Sequence, residues 1–183
     1  MPNRVIKTIE FPTGQRLEIV QGDLILEPVE AIVNAANSQL LHGGGVAGVI
    51  SRSCGPVLNQ ESREWVRLHG PVPHDKPAYT SAGRLPFRYI IHAVGPVWGE
   101  GDEDAHLASA VRGSLERAEE LGLGSLAMPA ISTGIFGFPK QRAANVILQA
   151  IARYFADRPR SSLNLVRITL IDQDTLAAFL EEK

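Results

Sequence analysis

The run from Ala31 to Ser51, AIVNAANSQLLHGGGVAGVIS, contains no charged residue, and it sets three consecutive glycines, Gly43 to Gly45, ahead of an apolar segment of helical character. Successive glycines expose their N–H groups and permit positive φ, while a helix that starts just after them adds the positive end of its dipole. Such a loop suits an anion, and phosphate above all. A loop that transfers phosphate needs a lysine at its end, and none stands here, so the stretch reads as one that holds a phosphate and does not move it. The plainer alternative is a tight strand-to-helix turn, because glycine-rich loops are common. A second uncharged glycine loop, Ile131-Ser132-Thr133-Gly134-Ile135-Phe136-Gly137-Phe138, follows another apolar strand. Two such loops can close on either side of a diphosphate, which one loop cannot do, and a nucleotide diphosphate is the ligand they indicate.

Three further side chains could supply specificity. Asp23, just past a strand end, can accept a hydrogen bond from the exocyclic amine of adenine and would face a carbonyl oxygen in guanine. The same aspartate could equally cap the short segment after it. Asn37 carries a donor and an acceptor at the mouth of the central strand, which suits a sugar diol or a loop hydrogen bond. Phe136 can lay its ring against a ribose, or simply pack. Asn34 reads as a brace for the loop, His92 as a hydrogen-bonded core histidine and His42 as a loop residue.

The elements that position these residues follow from periodicity and punctuation. Val5 to Glu10 and Arg16 to Gln21 form a hairpin around Pro12-Thr13-Gly14. A short connection or helical turn at Glu27 to Glu30 leads into a buried strand ending at Ala31 to Val33, and Val46 to Ser51 opens a helix. Pro56 to Gly70 reads as a helix with Val57, Leu58, Trp65, Val66 and Leu68 on its apolar face. Strands are expected at Ala78 to Gly83 and Arg88 to Val94, the second covered on both faces. Asp102 precedes a helix with Leu107, Val111, Leu115, Ala118 and Leu121 inward, stopped at Gly122. Ser125 to Ala130 is a strand, and Pro139 begins a helix whose inner stripe is Ala143, Ile147, Ala150, Ile151 and Tyr154. Leu163 to Ile171 is the last strand, and Asp172 caps a helix through Leu180. This alternation predicts an α/β fold with a largely parallel sheet covered on both sides.

The 183 residues, 44% hydrophobic and 21% charged, fit one domain over residues 1–183 with a sizeable core. A formal net charge of -2 argues against a general electrostatic grip on nucleic acid. Cys54 is the only cysteine, so no internal disulfide or cysteine-based zinc site can form, and a reducing cytoplasm is the natural compartment. No signal peptide and no membrane span are legible.

Gly22-Asp23-Leu24, AIVNAANSQLLHGGGVAGVI and PAISTGIFG together resemble the macrodomain family, with RYIIHAVGPVWG and GFPKQ similar to the macrodomain of a variant histone and to the stand-alone archaeal type. The resemblance runs through nearly the whole chain. It implies a three-layer α/β/α sandwich that binds ADP-ribose, with no cofactor and no metal. By matching position it implies that Asp23 binds the adenine amine and the Leu24 amide faces the ring. Gly44, Gly45 and Val46 would line the diphosphate. Ser132, Gly134, Ile135 and Phe136 would close the second loop, and Asn37 would meet the distal ribose, where any catalytic contribution would also lie.

One departure bears on mechanism. Family members that efficiently remove mono-ADP-ribose from proteins read GGGVDGAIH where this chain reads GGGVAGVIS, so Ala47 stands for the acidic residue and Ser51 for the histidine. A lost carboxylate near the scissile bond removes a base or an electrostatic stabiliser, and each such contribution is worth about 100-fold or more in rate. Three functions stay open. The first is a binding module for ADP-ribose, free or on a mono-ADP-ribosylated protein, with slow ester hydrolysis at most. The second is an efficient hydrolase or phosphatase-like enzyme acting on ADP-ribose derivatives, and the third is recognition of adenine-containing or ADP-ribosylated nucleic-acid ends.

Overall fold

The computed structural model describes residues 2–181. Among them the strands are β1 (Arg4–Glu10), β2 (Arg16–Gln21), β3 (Ala31–Ala35), β4 (Ala78–Thr80), β5 (Tyr89–Ala93), β6 (Ser125–Met128) and β7 (Leu165–Leu170). They form one sheet in the order β1-β2-β7-β6-β3-β5-β4. The five strands from β2 to β5 run parallel, with antiparallel β1 and β4 at the two edges. The helices are α1 (Gly45–Cys54), α2 (Pro56–His69), α3 (Glu103–Glu120), α4 (Lys140–Asp157) and α5 (Gln173–Glu181).

Period-two alternation sorts the strand side chains into two layers. Leu17, Ile19, Val33, Ile91 and Met128 face the larger cluster with Leu107, Val111, Leu115, Ile147, Ile151 and Phe179 from α3, α4 and α5. Ile32, Ile90 and Ala127 face the other way, onto Ile50, Cys54 and Leu58 of α1 and α2. The result is the sheet covered on both sides expected from the alternation of elements, in the three-layer α/β/α form that the resemblance implies. Parallel strands put their carboxyl ends on one edge of the sheet, so the segments after β2, β3, β6 and β7 emerge side by side.

Several local expectations need correction. Leu68 of α2 is exposed and the helix buries only Leu58 and Ser62, because it flanks the three-residue β4, which offers little surface to pack on. That strand stops at Thr80 because the next N–H, of Ser81, goes to the Glu61 carboxylate instead of a neighbouring strand. Pro139 sits just outside α4 at ψ 130, not in its first turn. The helical turn expected at Glu27 to Glu30 lies earlier, as a 3-10 turn over Leu24–Leu26.

Candidate functional site

A cleft of about 660 Å³ opens along the carboxyl edge of the sheet, within the range of small-ligand sites. All of the sequence-predicted ligand residues line it: Asp23, Leu24, Asn37, Gly44, Gly45, Val46, Ser132, Gly134, Ile135 and Phe136. Strand order gives the cleft its direction. Asp23 follows β2, the Ser132 loop follows β6 and the Asn37 loop follows β3, so Asp23 and Asn37 lie three strand spacings apart, about 14 Å.

At the β2 end, Asp23 caps the Leu24–Leu26 turn, its Oδ1 accepting from the Ile25 N–H at 3.1 Å. The cap reading of this residue holds, and it occupies one carboxylate oxygen while the other has no partner among the described residues.

In the middle, the first turn of α1 presents the N–H groups of Gly45, Val46 and Ala47, which have no intrahelical partner. Gly48 is the first whose N–H is taken, by Gly44 O at 3.0 Å. Gly45 holds φ +58, and a Cβ added at Gly43, Gly44 or Gly45 would meet nothing within 4 Å, so backbone borders open space here. Across the cleft, the second loop satisfies itself through Thr133 N–H to Ala130 O, Gly137 N–H to Gly134 O and Phe138 N–H to Ser132 O. The N–H groups of Gly134, Ile135 and Phe136 take no partner among the described residues. Two sets of free amides thus flank the cleft, and no lysine or arginine lines it.

Asn37 is exposed at the far end, and its side chain clamps its own loop: Nδ2 donates to Leu41 O at 2.8 Å and Oδ1 accepts from the Leu41 N–H at 3.0 Å. A second N–H and a second lone pair remain for a ligand. Ala47 lines the cleft, whereas Ser51 is buried beneath it with Oγ donating to Asn59 Oδ1 at 3.4 Å.

Two buried groups, Asn34 and His92, and the half-buried His42 brace the first loop from below, and none of them lines the cleft. Asn34 Nδ2 lies 3.0 Å from His92 Nδ1 and 3.3 Å from His42 Nδ1. An amide nitrogen only donates, so both Nδ1 atoms accept and each ring keeps its proton on Nε2. Those Nε2 protons go to Thr80 Oγ1 at 3.0 Å and Ser62 Oγ at 2.9 Å. Burial, and secondarily the neighbouring His42, holds His92 down to about 3, and burial also lowers His42. Leu40 completes the support from φ 54, its side chain buried with Ala36, Val72, Ala78 and Val94. Of the three non-glycine residues with positive φ among those described, Leu40 and Ser132 both sit in these loops, where strain of this kind tends to gather.

Sequence reasoning missed the β7 contribution. Ile171, Asp172 and Thr175 line the cleft beside Asp23. Asp172 was legible only as a helix cap, which it is, accepting from the Thr175 N–H at 3.0 Å. The rule that ligands gather outside strand carboxyl ends would have pointed to it as readily as to Asp23.

A family model described as Macro domain matches residues 33–147. Among curated relatives, a Thermotoga maritima protein is 49% identical over 181 residues, 98% of this chain, and the chain spans about 30% of that protein's length. The solved Oceanobacillus iheyensis macrodomain with ADP superposes with a TM-score of 0.90 at 34% identity, covering 99% of this chain and 95% of that one. The Trypanosoma brucei macrodomain in complex with ADP-ribose superposes with a TM-score of 0.80 at 29% identity, covering 89% of this chain and 67% of that one. Sequence match, sheet order and cleft agree, and the chain belongs to the macro domain family.

Proposed function

We propose that the cleft binds ADP-ribose, free or as the mono-ADP-ribosyl group of a modified protein, and that it retains the ligand with slow hydrolysis at most. One observation carries this reading: among the described residues the only titratable side chains lining the cleft are Asp23 and Asp172, and both lie at the β2–β7 end. An adenine amine fits beside Asp23, the diphosphate fits between the two rows of free amides, and the distal ribose reaches Asn37. The bond to a modified side chain would then lie near Asn37 and Ala47, two strand spacings (about 10 Å) from Asp172 and three (about 14 Å) from Asp23. No side chain there can take a proton from water at neutral pH. A diphosphate oxygen is the remaining group able to orient an attacking water, which supports slow turnover. The ligands in the two solved relatives, ADP and ADP-ribose, support the choice of ligand. A single buried cysteine, Cys54, fits a reducing cytoplasm. No helix among the described residues is long and apolar enough to cross a membrane.

Calorimetric titration with ADP-ribose and with its guanine counterpart tests the assignment. ADP-ribose is expected to bind much more tightly, and Asp23→Ala to weaken it roughly ten- to a hundredfold, the worth of a charge-assisted hydrogen bond. Equal affinity for the two nucleotides would remove Asp23 from the base site.

A further inference from the structure

The base end of the cleft is supported from behind by a buried polar network. Asn3 precedes β1 in the chain and reaches the Asp23 peptide with both ends of its side-chain amide. Oδ1 accepts from the Asp23 N–H at 2.8 Å, and Nδ2 donates to Asp23 O at 2.8 Å. The remaining Nδ2 proton goes to Glu27 Oε1 at 2.9 Å, which also accepts from Thr169 Oγ1 at 3.1 Å. Glu27 has a side chain that is 0% exposed, and its other oxygen pairs with Arg167 Nε at 2.8 Å. Arg167 in turn lies 3.4 Å from Glu18. The links from Glu27 to the Asp23 peptide are directional hydrogen bonds, whereas Arg167 Nε holds Glu27 Oε2 by charge alone, without hydrogen-bond alignment.

Gly22 lines the cleft, and the side on which a Cβ would stand is taken by this network. Its φ is not in the left-handed region, yet a Cβ added there would overlap Oδ1 and Cγ of Asn3. Buried ion clusters add little net stability, because desolvation offsets the Coulomb gain. What this one supplies is direction: with both sides of its peptide fixed, and Oδ1 tied to Ile25, Asp23 has few ways to turn its free carboxylate oxygen.

We infer that Asn3, oriented by the buried Glu27–Arg167 pair, is a positioning residue that sets the adenine selectivity of Asp23. The inference rests on the proposed ADP-ribose reading and extends it to residues outside the cleft. The test compares dissociation constants for ADP and GDP in the native protein and in Asn3→Ala, Gly22→Ala and Gln15→Ala. Gln15 is a buried control at the opposite end of the sheet, holding Arg158 O and Leu163 O. Asn3→Ala is expected to lower the preference for ADP over GDP roughly tenfold. Gly22→Ala is expected to do the same by displacing the Asn3 side chain, and Gln15→Ala to reduce stability while leaving the ratio as in the native protein. Loss of stability in Asn3→Ala and Gly22→Ala with an unchanged ratio would show that Asn3 only holds the fold together, and overturn the inference. Should Asn3→Ala not fold, the ratio in Gly22→Ala decides alone. Failure of the native protein to bind ADP, or to prefer it over GDP, would instead count against the proposed function.

Discussion

The two glycine loops face one another across the cleft, and their middles are held differently. The first is pinned from beneath by side chains of several elements: Leu40 in its apolar pocket, Asn37 on Leu41, and His42 between Asn34 and Ser62. The second is anchored at its two ends by Ile131 and Phe138 in the core, whereas its middle relies on backbone turns, Thr133 Oγ1 donating to Ala130 O and the Trp98 N–H donating to Phe136 O at 2.8 Å, and Ile135 there is 86% exposed. A loop fixed by buried groups is a platform already in place before ligand arrives. A loop anchored at both ends but with an exposed tip at Gly134 and Ile135 can reshape that tip over a ligand at little cost. Under the proposed function, the comparison puts binding strength on the first loop and closure on the second.

The strongest way to break that division is Gly45→Glu. It places a side chain at φ +58 and a negative charge where the first-loop amides point, and ADP-ribose affinity is expected to fall at least ~100-fold. Retained binding in calorimetry would mean that the diphosphate lies elsewhere.

Paired truncations come next. Leu40→Ala removes a buried anchor and is expected to cost about 2–5 kcal/mol in urea unfolding. Ile135→Ala is expected to stay within about 0.5 kcal/mol of the native protein while raising the ADP-ribose off-rate a few-fold. Similar stability losses for the two variants would erase the distinction between platform and cover.

Acid should act on the first loop through its histidines. The folded protein holds His92 and His42 neutral, with His92 down to about 3 and His42 lowered, whereas the unfolded chain protonates them near pH ~6.5. Their contribution is therefore complete above about pH 6.5 and is lost as pH falls toward about 3. The slope is about 1.4 kcal/mol per pH unit for each proton taken up only by the unfolded chain. Urea midpoints between pH 7 and 5, above most carboxylate titration, are expected to drop, and a flat profile would show that these imidazoles are not held as described.

Much of this architecture was legible in the sequence because the signals were local. Glycines after apolar strands, Asp23 at a strand end and the stripe from Leu107 to Ala118 each reveal their role within a few residues. What escaped depends on residues distant in the chain. Asn3 is an unremarked polar residue until the fold sets it against Asp23, twenty positions away. His42 adjoins the glycines, but only tertiary packing turns it toward Ser62 and away from the cleft. Leu68 follows helical apolar spacing and is still exposed, because periodicity cannot say how wide the sheet beneath a helix will be.

The central claim, a site that retains ADP-ribose because no acid or base reaches its far end, is tested most directly by single-turnover release of ADP-ribose from a glutamate-linked mono-ADP-ribosylated peptide, measured beside the ADP-ribose dissociation constant. The account predicts tight binding with slow release. Asn37→Ala should slow release further, since misplacing the reacting centre by about 1 Å can cost ~100-fold. Ala47→Asp should raise it only if the new carboxylate is held in place by its neighbours. A native rate matching that of efficient family hydrolases, and indifferent to Asn37→Ala, would contradict it.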